Sequence, residues 1–221
     1  MSIRAATLAD TDEITSLCVA TLEDDPGWRY RFPKAGEYRD DHFKYSRTRF
    51  SAYLENAENG AYAIMVVEAP SKENATVKKI IAVSMWVLPG HHLPKADAPV
   101  QLKKPPDHAE RRDADPVRLA EFVRELTQVR NSWFHDVYGD QQLGLILLGT
   151  HPDYRRLGAA AMLLKWGREK AEAEQVPVTL FASPMGYPLY AKAGFAEVNK
   201  AHVQVEGDDV FVELPAMVWV P

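Results

Sequence analysis

Hydrophobic residues along this chain follow two spacings, one typical of strands and one typical of helices. Residues 143–150, LGLILLGT, are almost all apolar, which predicts a central strand covered on both faces. Residues 151–153 end that strand, because Pro152 cannot donate to a sheet ladder. Apolar residues then recur at helical spacing from Leu157 to Trp166. We therefore predict strand, turn and helix here, with the rest of the chain arranged around them.

The same spacings predict the remaining elements. Strands are expected at 2–6, 62–69, 77–88, 177–182, 195–205 and 210–220, and helices at 13–22, 38–56 and 117–138. Ser183-Pro184 pairs a capping residue with a proline, which predicts the start of another helix. Residues 24–33 are rich in turn formers and carry three aromatic side chains, and no element is predicted there.

Residues 89–116 differ from the rest of the chain in composition. They are rich in proline, contain His91-His92 and two basic pairs, and lack apolar periodicity. Because so long a stretch exceeds an ordinary loop, we predict an insertion within a single domain spanning residues 1–221. The histidine pair has no cysteine or third histidine at ligand spacing, so no metal site is predicted.

Charge and cysteine content limit the partners and the compartment. The net charge of −5 and the pI near 5.8 argue against a surface for nucleic acid or for anionic membranes. No run approaches the roughly 20 apolar residues of a membrane helix. Cys18 is the only cysteine, so no intramolecular disulfide forms and a reducing compartment is the simplest interpretation. We expect a soluble, cytoplasmic protein.

The turn after strand 143–150 has residues that suit a diphosphate. Residues 155–160, RRLGAA, place small side chains where a helix begins, with unpaired N–H groups and the positive end of the helix dipole. An anion could approach this backbone closely, and the two arginines add positive charge. Alternatively, the small residues only let helix and strand pack, and the hexapeptide alone favours that interpretation. A P-loop or a dinucleotide fingerprint fits poorly, because Gly-Lys-Ser/Thr is absent and the turn has one glycine.

Arg-x-x-Gly-x-Ala after a buried strand resembles the coenzyme A motif of the GNAT superfamily of N-acyltransferases. Downstream, Tyr190 precedes Gly194-Phe195, as is common in the superfamily. Segments 148–158 and 182–190 together are most similar to a group of fungal GNAT proteins. The resemblance implies an α/β fold, in which helices flank a mixed, mostly antiparallel twisted sheet of about six to seven strands. It also implies a V-shaped split between strands 143–150 and 177–182.

The resemblance further implies acetyl-CoA as the cofactor. Backbone groups of Leu148 and Thr150 would pair with its pantetheine arm, and Gly149 would mark a bulge, a close backbone approach or simple packing. Ser183 stands where relatives often have asparagine, and a capping role would explain it equally well. The residues implied in cofactor binding are Leu148, Gly149, Thr150, Arg155, Arg156, Leu157, Gly158, Ala159, Ala160 and Ser183.

In such enzymes a neutral amine attacks the thioester directly. The resemblance implies that the Leu148 N–H stabilises the oxyanion and that Tyr190 is the general acid toward the departing thiolate. Tyr190 could alternatively be a buried structural tyrosine. Residues 143–148 offer no acid, so the general base stays open between Glu68, Asp24, Asp25 and a water chain.

The acyl acceptor is less constrained by the sequence. Trp28, Tyr30, Phe32 and Trp86 are candidate substrate contacts that favour an apolar or aromatic acceptor, although aromatics also pin loops to a core. We predict N-acetylation of a small-molecule amine, such as a xenobiotic or a secondary metabolite. The alternatives are acetylation of a protein or peptide, and a non-catalytic acyl-CoA sensor. Pairing of terminal strands could make a homodimer.

Overall fold

The computed structural model describes residues 1–91 and 111–221. Its described residues form a seven-stranded sheet in the order β1-β2-β3-β4-β5-β7-β6. Neighbouring strands are antiparallel except β4 and β5, which are parallel, so the predicted mixed sheet is confirmed. The strands are β1 Ser2–Ala5, β2 Tyr62–Pro70, β3 Lys78–Val87, β4 Leu143–Thr150, β5 Val178–Phe181, β6 Ala196–Gln204 and β7 Phe211–Trp219.

Helices cover both faces of this sheet. A bulge at Ile81 interrupts the alternation of β3, so Ile80 and Val83 both pack with α1 and α3 while Ile81 packs with α6. This double coverage explains why β3 reads as a nearly continuous apolar run rather than an alternating one. The helices are α1 Thr11–Leu22, α2 Pro26–Arg31, α3 Arg39–Glu58, α4 Pro116–Arg130, α5 Asp136–Tyr138, α6 Ala159–Glu174 and α7 Tyr187–Lys192.

The sheet opens between its two parallel strands. β4 and β5 pair only from Leu143 to Leu145, and β4 then continues for residues 146–150 without a partner on that side. On the other side the register between β3 and β4 shifts at Ile146, which is the extra residue of a bulge. The predicted V-shaped split is therefore present at this point of the sheet.

Three local predictions differ from the structure. Residues 24–33 contain the short helix α2, which Asp25 caps by accepting from the Trp28 N–H and in which Pro26 is the first residue. The helix predicted at 117–138 is interrupted by one π-helical turn, Asn131–His135. Ser183 begins a turn rather than a helix, and α7 starts only at Tyr187.

The predicted insertion, residues 89–116, lies mostly outside the described residues. Its end is described, and there Asp115 caps α4 by accepting from the N–H groups of Val117 and Arg118. None of the helices within residues 1–91 and 111–221 has the length and apolar character needed to cross a membrane.

Candidate active site

The open side of β4 presents free backbone groups. The His151 N–H donates to the Ile81 carbonyl oxygen at 2.8 Å, toward β3. Backbone groups alternate in direction along an antiparallel strand, so Leu148 and Thr150 direct theirs to the opposite side. On that side β5 no longer pairs with β4. Two residues of β4 can therefore pair with an extended ligand in the split.

The N-terminus of α6 lies directly after this strand. Gly158 is its N-cap in the left-handed region, with φ +89°, and no side chain caps the helix. The N–H groups of Ala159, Ala160 and Ala161 donate to no group of the described residues. Space is open where a Cβ on Gly158 would stand, and Arg155 and Arg156 are exposed beside it. We call residues 146–161 the cofactor edge.

The cofactor edge fits coenzyme A in its hydrogen-bonding capacity. A 16-residue helix with free N–H groups and no side-chain cap suits a diphosphate. The hydroxyls of Thr150 and Thr21 are buried and have no hydrogen-bond partner within residues 1–91 and 111–221. Gly149 does not form the bulge. A Cβ on it would lie 3.0 Å from Thr21 Cγ2, so it lets α1 approach the strand.

A cavity of about 200 Å³ adjoins the split on the side of α2, α3 and α4. It is bounded by the unpaired part of β4, by Tyr190 and Ser183 beyond β5, and by side chains of the three helices. We call it the acceptor cavity. Trp28 and Leu148 both line it, so it meets the cofactor edge at β4.

Tyr190 stands where the acceptor cavity meets the split. Its side chain is buried, and its hydroxyl makes no hydrogen bond within the described parts of the chain. Burial, reinforced by the charge of Asp25, raises the pKa of the Tyr190 phenol above its usual value. The phenol therefore holds its proton at neutral pH. A Cβ on Gly186 would lie 2.9 Å from Tyr190 Cε2, so this glycine makes room for the ring.

Ser183 supports the same region through its backbone and its side chain. Its carbonyl oxygen accepts from the N–H groups of Gly186 and Tyr187, at 3.0 and 2.9 Å. Its Oγ accepts from the Gly186 N–H at 3.2 Å and also lines the acceptor cavity. Ser183 thus holds a turn rather than capping a helix, and the lone pair that remains on its Oγ can still face a ligand.

Of the three acids left open as the general base, only Asp25 lines the acceptor cavity. Asp24 is exposed and pairs with Arg29 at 2.7 Å. Glu68 pairs with Arg4 at 2.7 Å where β1 meets β2, away from the cavity. Asp25 is held in place because its Oδ1 accepts from the Trp28 N–H at 2.9 Å. The short helix α2 thus brings an acid and an aromatic ring to one wall.

A buried polar network, which the sequence did not reveal, holds that wall. Trp28 Nε1 donates to His42 Nε2 at 3.0 Å, so the histidine proton lies on Nδ1 and faces Asp113 Oδ2 at 2.6 Å. Asp113 is fully buried and also accepts two hydrogen bonds from Arg111. Burial alone would raise the pKa of Asp113, but the hydrogen bonds from His42 and Arg111 hold it below its usual value.

Three of the four aromatic candidates for substrate contact do not line the acceptor cavity. Tyr30 packs with Phe122 against β6 and β7, and Phe32 packs in the core beside Trp28. Trp86 is fully buried on the α6 face, where Gly167 makes room for its ring and Ser84 Oγ accepts from its Nε1 at 2.8 Å. In the structure these three side chains serve packing, and their contacts with a substrate stay predictions. Trp28 alone of the four lines the cavity.

Three arginines that the sequence did not single out line the same cavity: Arg31, Arg49 and Arg130. They come from α2, α3 and the end of α4, so no local motif connects them. Burial and the neighbouring Arg49 lower the pKa of Arg31 to about 9, and burial lowers the pKa of Arg130 to about 10. Both side chains remain charged at neutral pH. The acceptor cavity thus has a polar, cationic wall in addition to the apolar and aromatic lining that the sequence favoured.

Comparisons with known proteins agree with this geometry. Residues 136–210, which hold β4, the cofactor edge and Tyr190, match a family model described as an acetyltransferase (GNAT) domain. An acetyltransferase of Stachybotrys chartarum is 25% identical over 209 residues, covering 94% of this chain and 85% of the relative.

Two solved structures show the same fold over the whole chain. A mosquito arylalkylamine N-acetyltransferase like 5b matches with a TM-score of 0.61 at 15% identity, covering 100% of this chain and 99% of that one. The PaiA N-acetyltransferase of Thermoplasma acidophilum, solved in complex with coenzyme A, matches with a TM-score of 0.53 at 11% identity, covering 100% of both chains. The expected fold is therefore confirmed.

Proposed function

We propose that this chain, an acyltransferase of the GNAT type that uses acetyl-CoA, transfers the acetyl group to the amine of a small molecule. The observation that carries the proposal is the acceptor cavity of about 200 Å³ that adjoins the cofactor edge at Tyr190. This volume is below the range of about 300–1,000 Å³ that is typical of ligand pockets, so it leaves room only for a small acceptor. The fold shared with an arylalkylamine N-acetyltransferase is consistent with such an acceptor.

The cofactor edge supplies binding through its backbone. The free N–H groups at the start of α6 and the exposed Arg155 and Arg156 would hold the diphosphate. The outward backbone groups of Leu148 and Thr150 would hold the pantetheine arm, and Ser183 Oγ lies within reach of the same split. Acetyl-CoA, once bound, supplies an acetyl group activated as a thioester.

Three groups of the chain would carry out the transfer. The Leu148 N–H is a fixed dipole directed into the split, where it can stabilise negative charge on a carbonyl oxygen. Asp25 would accept, directly or through water, the proton that the amine loses on attack. Tyr190 would give its phenolic proton to the departing sulfur and be reprotonated from solvent. One proton thus leaves the amine and one reaches the sulfur, and no covalent intermediate forms on the enzyme.

Thiol release from acetyl-CoA tests the proposal with four acceptor classes: aromatic amines, polyamines, amino acids and short peptides. We expect turnover with at least one class of small amine and none above background with peptides, because the acceptor space is a cavity. Efficient turnover of peptides would contradict the small-molecule assignment. Binding of acetyl-CoA without release for any class would favour a sensor instead.

A further inference from the structure

The three arginines of the acceptor cavity have no anionic partner among the residues that the structure describes. No carboxylate within residues 1–91 and 111–221 lies at ion-pair distance from Arg31, Arg49 or Arg130. Most other arginines of the described chain have such a partner, for example Arg118 with Asp208 at 2.7 Å. A buried or half-buried charge without a counter-ion is costly, so the fold retains these cations at a disadvantage to its stability.

Aromatic rings hold the three guanidinium groups without neutralising them. The Arg31 guanidinium lies 4.1 Å from the centre of the Phe122 ring and 5.0 Å from that of Trp28. Its Nε donates to the Gly27 carbonyl oxygen at 2.7 Å, which leaves both Nη groups without a partner in the described chain. Arg31 is therefore fixed in position with its outer donors free.

The other two arginines are held in the same manner. Arg49 lies 5.9 Å from the Trp28 ring centre and 6.0 Å from that of Tyr53, and Arg130 lies 5.4 Å from the ring centre of Phe181. Arg31 and Arg49 lie 5.0 and 5.9 Å from the same Trp28 ring centre, so two positive charges stand close together, and Arg49 accordingly lowers the pKa of Arg31. The only carboxylate of the described chain that lines the cavity is Asp25. Three positive charges thus face one negative charge.

We propose that the acceptor amine carries an anionic group, a carboxylate or a phosphate, which Arg31, Arg49 and Arg130 bind. This proposal rests on the proposed acetylation of a small amine at the same site. A planar guanidinium pairs well with either anion through two parallel hydrogen bonds. The anion would lie against the arginine wall, and the amine would reach the side of the cavity formed by Asp25 and Tyr190. Dicationic polyamines would be repelled.

Pairs of amines that differ only in the anion test this specificity with the full chain and acetyl-CoA. Phenylalanine is compared with its carboxamide and with 2-phenylethylamine, and phosphoethanolamine with ethanolamine. We expect kcat/KM to be roughly tenfold or more higher for the anionic member of a pair, since charge-assisted hydrogen bonds are gained. The two series distinguish a carboxylate from a phosphate.

Arg49→Gln is the main variant, because Arg49 is only half-buried and its loss should leave the fold intact. We expect it to remove most of the preference for the anionic member by raising KM, with kcat little changed. Arg47→Gln is the matched control, since Arg47 lies on the same helix with its side chain 52% exposed and pairs with Asp12. It should retain the preference.

Calorimetric binding of 3-phenylpropionate separates failure of the anion site from failure of the proposed function. If neutral amines are acetylated equally well and this carboxylate does not bind, the anion site is wrong while the acetyltransferase function stands. If no amine is acetylated but the carboxylate binds to wild type and not to Arg49→Gln, the anion site stands and the proposed function fails. An absence of both turnover and binding would overturn both.

Discussion

The cofactor edge and the acceptor cavity are built in opposite ways. The cofactor edge comes from one continuous stretch, residues 146–161, and offers mainly backbone groups of β4 and of the first turn of α6. The acceptor cavity draws side chains from α2, α3 and α4 as well as from β4 and α7. Backbone groups are present whatever the side chain, so the cofactor edge should tolerate most substitutions. The acceptor cavity should instead change its specificity with each side chain.

The largest effect is expected where the two regions meet. Tyr190→Phe removes the phenolic proton but keeps the ring, so kcat should fall by about 10²- to 10⁴-fold while KM for both substrates stays nearly constant. Steady-state kinetics at saturating substrates, with acetyl-CoA binding measured by calorimetry, checks this. An unchanged kcat would show that Tyr190 is only a structural residue.

The wall of the acceptor cavity should show the next largest effect. Asp113→Ala removes the shared acceptor of His42 and Arg111 and leaves the His42 donor buried and the part-buried Arg111 unpaired, which should lower the free energy of unfolding by about 3–5 kcal/mol. KM for the amine should rise, because Trp28 loses its support through His42. Urea unfolding at pH 7 measures the loss. Asp24→Ala, in a pair exposed on both sides, is the control and should leave the free energy nearly unchanged.

The same change has a pH signature. Since the folded pKa of Asp113 is depressed, its contribution is fully present above the ordinary carboxyl pKa of about 4 and is lost as the pH falls through the folded value. Wild type should therefore lose stability more steeply than Asp113→Ala on acidification. Parallel curves for the two proteins would contradict the buried network.

The cofactor edge should show the smallest effect. Gly158→Ala forces a Cβ into the left-handed region at φ +89°, at a cost of about 1–2 kcal/mol, and narrows the approach to the first turn of α6. KM for acetyl-CoA should rise several-fold while KM for the amine is unchanged. Gly207→Ala carries a similar strain at φ +79°, in the turn between β6 and β7, and should change neither KM. An equal rise of KM for acetyl-CoA in both variants would show that backbone strain, and not a narrower approach to α6, causes the effect.

The difference between the two regions also explains what could be predicted from the sequence. The order strand, turn, helix around Gly158 is local, because an apolar run, a proline and small residues follow one another within about 25 residues, and the structure confirms it. The V-shaped split was expected only through the family resemblance. It arises because β4 continues beyond its last pair with β5.

The acceptor cavity could not be predicted in the same way. His42 and Asp113 are 71 residues apart, and the three arginines lie on three helices, so only the packed fold brings them together. Trp28, Tyr30 and Phe32 alternate along the sequence, but α2 turns Tyr30 toward a different part of the core from Trp28 and Phe32. One local signal was available, since Asp25-Pro26 is a cap followed by proline at the first helical position. It would have identified α2 and the position of Asp25.

The measurement that tests acetyl transfer most directly follows both products by mass spectrometry after acetyl-CoA is mixed with a small anionic amine. We expect one acetylated amine for each free thiol, and no acetylated protein when the amine is omitted, because the amine attacks directly. Acetyl-CoA binding without any acetylated amine would contradict an enzyme at this site. Acetylated protein that forms first and then transfers its acetyl group would contradict the direct mechanism.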